Sequence, residues 1–157
     1  MQIPKLSSGC EVRSATAQDI WRIRKLVLYA LLDPTQLRWT QFWVVEHQQE
    51  IIACGQLRHF AEAQELGSLV VASAWRGQGI GSFLTQWLIE QATSSLYIEC
   101  LGDKLAEFYT PFGFVAVSWS DLPQSLKRKF ALSALGQRLQ LPVHFMHRPS
   151  KGITETS

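Results

Sequence analysis

Residues 69–84 read Leu-Val-Val-Ala-Ser-Ala-Trp-Arg-Gly-Gln-Gly-Ile-Gly-Ser-Phe-Leu, and this stretch decides the fold. An apolar, β-branched run ends in a short loop, the loop becomes rich in glycine, and apolar residues at helical spacing follow at once. The first N–H groups of a helix lack intrahelical partners and carry partial positive charge. The glycines let a phosphate approach the backbone closely, and Arg76 adds a fixed positive charge. The stretch therefore predicts a strand–loop–helix unit that binds phosphate.

Two nucleotide-binding motifs compete for this loop. A P-loop is excluded because no lysine follows the glycines. A dinucleotide-binding fingerprint needs a third glycine one residue later, where Ser82 stands, and an acid about 20 residues on, which Glu99 would supply. A Rossmann-type NAD-binding protein therefore stays as an alternative.

Composition narrows the class of protein. The chain has 157 residues, of which 46% are hydrophobic and 18% charged, as expected for one globular domain. A net charge of +2 and the absence of a long basic block argue against a nucleic-acid partner. Three cysteines without Cys-x-x-Cys spacing favour a reducing compartment. The N-terminus lacks the apolar core of a signal peptide, and no apolar run is long enough to cross a bilayer. We therefore expect a cytoplasmic protein without a membrane partner.

The spacing of apolar residues predicts the other elements. Thr16 and Asp19 read as a capping box at the start of the first helix. The order is β-α-β-β-β-α-β-α-β-α-β, with residues 10–148 as one domain between a flexible arm (1–9) and a flexible tail (149–157). The predicted bounds are strand 11–13, helix 17–32, strands 42–46, 51–57 and 65–71, helix 79–94, strand 96–101, helix 105–109, strand 114–117, helix 123–139 and strand 143–146.

Two stretches resemble the GNAT N-acetyltransferase superfamily. Residues 76–81, Arg-Gly-Gln-Gly-Ile-Gly, resemble its acyl-CoA-binding segment Gln/Arg-x-x-Gly-x-Gly/Ala, and residues 108–114, Phe-Tyr-Thr-Pro-Phe-Gly-Phe, resemble its Phe/Leu-Tyr-x-x-x-Gly-Phe signature. The resemblance covers nearly the whole chain after residue 9. It implies an α/β (α+β) fold with a mixed, mostly antiparallel central sheet flanked by helices and splayed between its central strands.

The resemblance also implies an activity: transfer of the acetyl group of acetyl-CoA to a primary amine, without a metal. On this reading the backbone of the strand pairs with the pantetheine amides, the loop takes the pyrophosphate, and two phenylalanines pack on the cofactor arm. The implied cofactor-binding residues are Leu69, Val70, Val71, Arg76, Gly77, Gln78, Gly79, Ile80, Gly81, Ser82, Phe108 and Phe112.

Two residues are candidates for the proton transfers. Tyr109 matches the superfamily tyrosine that donates to the CoA sulfur, and a phenol with a pKa near 10 suits that task. Glu65 stands where several members carry a glutamate that deprotonates the amine, and alternation would place residues 65, 67, 69 and 71 on one face. Glu46, Glu50 and Glu62 remain rivals for this role. Nothing in the sequence activates a cysteine, Cys100 included, so direct attack by the amine is preferred to a covalent route.

The sequence leaves several points about the site and the function open. Many superfamily members carry an asparagine where this chain has Gly102. The helix 123–139 resembles that of N-acetylglutamate-synthase-type members. Arg22, Arg24 and Lys25 form either a solvated face or an acceptor site for a carboxylate. A CoA-binding or sensor module without turnover is the other alternative, and the sequence leaves a homodimer open.

Overall fold

The computed structural model describes residues 4–150, which form two compact units. The first contains residues 4–58 and 66–91, and the second contains residues 59–65 and 92–150. Residues 1–3 and 151–157, parts of the predicted arm and tail, lie outside the described residues. The prediction of a single domain over residues 10–148 stays a prediction.

Seven strands form one mixed sheet in the order β1-β2-β3-β4-β5-β7-β6. The pairs β1/β2, β2/β3, β5/β7 and β6/β7 are antiparallel, whereas β4 and β5 are parallel, which confirms the predicted mixed, mostly antiparallel sheet. The strands are β1 (Cys10–Ser14), β2 (Phe42–His47), β3 (Glu50–His59), β4 (Gln64–Val71), β5 (Leu96–Leu101), β6 (Val115–Ala116) and β7 (Val143–Arg148). The helices are α1 (Ile20–Tyr29), α2 (Ile80–Gln91), α3 (Asp103–Tyr109), α4 (Gln124–Lys129) and α5 (Ala131–Arg138).

The capping box predicted at Thr16 and Asp19 is present, but a 3-10 turn, Ala17–Asp19, precedes α1, and the helix ends earlier than predicted. The Asp19 carboxylate accepts hydrogen bonds from the N–H (2.7 Å) and the hydroxyl (3.0 Å) of Thr16. The predicted end at residue 32 is wrong, because Leu31 adopts a left-handed conformation (φ +57°) and the N–H of Leu32 bonds back to the carbonyl of Val27. This closure resembles a Schellman cap, with leucine where glycine is usual.

The first unit is built around the β2–β3 hairpin. Gln48 and Gln49 both have positive φ (+48° and +66°), as a tight two-residue hairpin turn requires. Gly55 of β3 lies against α2, since a Cβ placed on it would be 2.7 Å from Cδ1 of Leu88. The backbone of β3 therefore approaches α2 closely at Gly55. One buried cluster of this unit contains Ala15, Ile23, Val27, Phe42, Val44, Cys54 and Val70.

In the second unit, two helices replace the single helix predicted over 123–139. The helical conformation is interrupted at Phe130 (φ −96°, ψ +9°), which follows α4 and precedes α5. Phe130 is buried and its ring stacks on that of Phe145 at 5.5 Å, so core packing fixes the break. Leu135 of α5 is 55% exposed. The core here consists of Ala63, Leu122, Leu126, Phe130, Val143 and Phe145.

Helix α2 ends at Gln91, three residues before the predicted end. The side chain of buried Gln64 explains the difference: its Oε1 accepts hydrogen bonds from the N–H groups of Thr93 (2.7 Å) and Ser94 (2.9 Å). These N–H groups therefore do not form the hydrogen bonds that would continue the helix. Within residues 4–150, no helix has the length and apolar character needed to cross a bilayer.

Candidate active site

The glycine loop joins β4 to α2 within the first unit. The N–H of Ala72 donates to the carbonyl of Ile52 (2.8 Å), and a short 3-10 turn, Ser73–Trp75, follows. Gly77 (φ +77°) and Gly79 (φ +81°) both adopt left-handed conformations. Side chains rarely tolerate such conformations, so the glycines of the motif fix the path of this loop.

The first N–H groups of α2 lie ahead of its helical hydrogen bonds. Its first helical hydrogen bond runs from the N–H of Phe83 to the carbonyl of Gly79 (2.9 Å). The preceding N–H groups, those of Ile80, Gly81 and Ser82, therefore precede the helical ladder. Ile80 is buried and anchors the helix, whereas Gly77 and Gln78 are exposed. This arrangement suits an anion bound at the helix N-terminus.

Arg76 lies directly before the glycines of this loop, and a hydrogen bond holds its side chain. Its Nε donates to the carbonyl of Val71 at the end of β4 (3.0 Å). The side chain is exposed, so its Nη atoms are accessible to an anion from solution. One hydrogen bond thus fixes the direction of the guanidinium without burying its charge.

Strand β4 is interrupted at Ser68, which has a φ of +49°. The Sγ of Cys54 (3.7 Å) donates to the Ser68 carbonyl, and Arg58 Nη2 (3.2 Å) donates to the Ser68 hydroxyl. A left-handed residue inside a strand rotates the chain, as in a β-bulge. The expectation that residues 65, 67, 69 and 71 share one face is wrong, because it assumed unbroken alternation.

Tyr109 ends α3 in the second unit and is 2% exposed. Its ring meets that of Phe108 edge-on at 4.9 Å and that of Phe114 at 5.7 Å, and Phe108 also contacts Phe112 at 5.5 Å. Burial raises the pKa of Tyr109, and the nearby Cys100 raises it further. The phenol is therefore protonated throughout the physiological pH range. In that state it can serve as a proton donor.

Cys100 is unsuited to nucleophilic catalysis. It is fully buried, and its Sγ contacts the Sδ of Met146 at 3.8 Å. Burial, with a contribution from Glu99, raises the pKa of Cys100 to about 12. The reactive species of a cysteine is the thiolate, which is scarce at neutral pH when the pKa is this high.

Glu65 differs from its three rivals in burial. Its relative exposure is 4%, whereas Glu50 and Glu62 are exposed and Glu46 is half-buried in an ion pair with Arg13 (2.7 Å). Glu65 is thus buried and is not solvated in the turn that precedes it. Of the four carboxylates, Glu65 is the one withdrawn from water.

Glu65 and Tyr109 lie on opposite faces of the sheet in the second unit. Glu65 pairs with Tyr97 across the β4/β5 ladder, so these two side chains share a face. Helix α3 and the turn after it pack on the other face, where Asp103 bonds His144 (2.6 Å) and Arg148 bonds the carbonyl of Phe112 (2.8 Å). His144 and Arg148 alternate with His147, the β7 partner of Tyr97. The structure therefore brings Tyr109 and the two phenylalanines together but keeps Glu65 apart from them.

Some features of the site have no clear sequence signal. Gly102 has φ +103° and ψ +152°, a region that only glycine adopts readily, so the asparagine of other superfamily members would be strained here. Buried Gln64, beside Glu65, also donates to the Nδ1 of His59 (3.0 Å), and no motif marks it. Within the described residues, no group of three or more His, Cys, Asp or Glu side chains could hold a metal ion.

Comparison with known proteins identifies the family. A family model described as "Acetyltransferase (GNAT) domain" matches residues 38–116, half of the chain. The chain belongs to the GNAT acetyltransferase family. This confirms the resemblance read from the glycine loop and the Phe-Tyr signature.

Solved structures of similar fold agree with this assignment. The chain is similar to N-acetylglutamate synthase from Neisseria gonorrhoeae complexed with coenzyme A and L-arginine, with 22% identity and a TM-score of 0.75. That match covers 93% of this chain but 34% of the synthase, so the chain spans about a third of its length. A Mycobacterium tuberculosis protein in complex with CoA matches with 20% identity and a TM-score of 0.69, covering 88% of this chain and 98% of that one.

A GNAT-family acetyltransferase from Staphylococcus aureus Mu50 gives 18% identity and a TM-score of 0.66, covering 90% of this chain and 99% of that one. At these identities the structural matches show the shared fold alone.

Proposed function

We propose that this GNAT protein is an N-acetyltransferase that moves the acetyl group of acetyl-CoA directly to a primary amine. The observation that carries the proposal is the glycine loop, where two left-handed glycines, the first N–H groups of α2 and an anchored Arg76 meet. These groups fit the pyrophosphate of CoA, because both fixed charge and backbone donors are present.

We propose the remaining cofactor contacts from the family resemblance. The pyrophosphate binds the N–H groups of residues 77–82, with Arg76 supplying charge. The backbone of residues 69–71 pairs with the pantetheine amides as an added strand would. Phe108 and Phe112 supply apolar surface for the cofactor arm. Binding in this way supplies much of the rate by holding the thioester beside the amine.

Two side chains carry the proton transfers. The amine must lose a proton to attack, and Glu65 accepts it, directly or through water. The C–S bond of the thioester then breaks as the C–N bond forms, and Tyr109 gives its proton to the leaving sulfur. The phenol is protonated before the reaction, as a donor must be, and its raised pKa makes it a weaker acid than a free phenol. Because the amine nitrogen and the thioester sulfur meet at one carbonyl carbon, and Glu65 lies on the opposite face of the sheet from Tyr109, the proton reaches Glu65 through water.

The acceptor is unidentified, and we propose an amino acid as the first candidate. The N. gonorrhoeae synthase, of similar fold, was also crystallised with CoA and N-acetyl-glutamate. Amino acids therefore belong in the first acceptor panel.

The test begins with binding and ends with product. At a ligand concentration of 100 Kd, acetyl-CoA should stabilise the protein by about 2.7 kcal/mol, roughly 5–10 °C in melting temperature, whereas NAD should not. Mass spectrometry then follows acetylation across amines, amino acids and peptides. Stabilisation by NAD instead would favour the Rossmann alternative. Binding of acetyl-CoA without product from any amine would favour a CoA-binding sensor.

A further inference from the structure

The segment Pro4–Gly9 contacts the loop between β4 and α2 directly at Gly79. A Cβ placed on Gly79 would lie 2.8 Å from the Cβ and 3.1 Å from the Cγ of Pro4. Carbon atoms do not approach this closely without displacement, so the proline ring fills the space that a side chain at position 79 would need. Glycine is therefore required at 79 for two reasons, its left-handed φ and the neighbouring ring.

The same segment reaches the loop a second time through His47. The N–H of Cys10 donates to the carbonyl of Ser7 (3.0 Å), which ties the segment to the start of β1. A Cβ placed on Gly9 would lie 3.4 Å from the ring of His47, and that ring contacts the ring of Trp75 at 4.7 Å. Trp75 immediately precedes Arg76, so both ends of the phosphate-binding part of the loop are supported.

We propose that residues 4–9, the strap, hold the glycine loop in the conformation that binds CoA, with Pro4 as the positioning residue. The inference rests on the proposed function, in which residues 76–79 contact the pyrophosphate. Glycine-rich segments lose much conformational freedom when they become ordered. Ordering the loop before the ligand arrives lowers that loss on binding, and a proline ring is a rigid support.

The proposal fixes the direction of the effect. Without the ring of Pro4, the loop would populate other conformations, and the apparent affinity would fall by the fraction of molecules that remain competent. Pro4→Gly should weaken CoA binding by about 5- to 20-fold. The kcat at saturating acetyl-CoA should change by less than about twofold, because Pro4 touches no group assigned to proton transfer. A strap that obstructed the site would give the opposite sign.

Two glycines of the loop provide a matched pair for the test. Gly77 and Gly79 have nearly equal φ values, so alanine at either position should let the free loop relax out of the binding conformation and weaken binding by about 5- to 30-fold. Among the described residues, nothing lies within 4 Å of a Cβ at Gly77, whereas Pro4 blocks the Cβ at Gly79. Adding Pro4→Gly should therefore restore part of the affinity of Gly79→Ala, by about threefold or more, and should lower that of Gly77→Ala further.

The affinities are measured by titration calorimetry with CoA, which needs no acceptor and no turnover. Melting curves show whether each variant is folded. If Gly79→Ala is not folded, the CoA affinities of Pro4→Gly and Pro4→Ala are compared instead. The inference is supported by weaker binding in Pro4→Gly and by opposite effects of Pro4→Gly in the two glycine backgrounds. Unchanged or tighter binding in Pro4→Gly overturns the inference alone. A wild-type protein that does not bind CoA overturns the proposed function and the inference together.

Discussion

Tyr109→Phe removes one hydroxyl and leaves the ring packing intact. The ring is held by Phe108 and Phe114 at 4.9 and 5.7 Å, and phenylalanine can keep both contacts. We expect the melting temperature to stay within about 4 °C of the wild type, since a single hydrogen-bonding group contributes on the order of 1 kcal/mol. The change therefore separates the proton donor from the structural role of the ring.

The expected loss lies in turnover. Positioned acids contribute at least about 10²-fold, so kcat should fall by about that factor, equivalent to roughly 2.7 kcal/mol. Because burial raises the pKa of Tyr109, the wild-type rate should show no loss of the acid form up to about pH 10. The affinity for acetyl-CoA should hardly change, since the hydroxyl acts on the leaving sulfur.

The assay follows free thiol release at saturating acetyl-CoA and acceptor between pH 6 and 10. Tyr29→Phe is the matched control, because it removes a phenol from an exposed position on α1. Its turnover should equal that of the wild type. If Tyr109→Phe also turned over at the wild-type rate across this pH range, Tyr109 would be a packing residue and the acid would have to be sought elsewhere.

Three further changes test other parts of the account. Glu65→Gln should lower kcat/KM at neutral pH and recover partly at high pH, where more of the amine is neutral, whereas exposed Glu50→Gln should leave the pH–rate profile unchanged. Cys100→Ala should keep its turnover, because the thiol has a pKa of about 12 and direct transfer needs no nucleophile, and a loss of all activity would restore the covalent route. Hydrogen bonds from Arg13 lower the pKa of Asp19 from 3.8 to about 2. The resulting stabilisation of about 2 kcal/mol should be complete well above pH 3.8 and lost as the pH falls through 2, so urea melts of wild type and Asp19→Asn should converge in acid.

Local patterns with a direct physical cause could be predicted from the sequence. Strand β5 lies at residues 96–101 as expected, because its apolar run is bounded by turn residues on both sides. The glycine loop was also predictable, since left-handed conformations at Gly77 and Gly79 need glycine. The hairpin turn at residues 48–49 also needs left-handed conformations, but it has glutamine at both positions, where glycine or asparagine is more typical.

Features set by tertiary packing could not be predicted in this way. Phe130 breaks the predicted helix because its ring stacks in the core, and helical spacing alone cannot show that. Leu31 ends α1 in a left-handed conformation without a glycine to mark it. Glu65 follows the polar residue Gln64 in the sequence, and tertiary packing buries it. Ser68 interrupts β4, so the face on which each side chain lies could not be counted from Glu65 onward.

The most direct test of the central claim compares Gly77→Asp with Gly77→Asn in CoA binding. Gly77 is exposed, nothing described lies within 4 Å of a Cβ there, and both substitutes tolerate its φ of +77°. A carboxylate about 5 Å from the pyrophosphate should cost roughly 1–3 kcal/mol, so Gly77→Asp should bind CoA about 5- to 150-fold more weakly than Gly77→Asn at low salt. The gap should shrink as salt is added. Equal affinities of the two folded variants would contradict the claim that this loop holds the pyrophosphate of CoA.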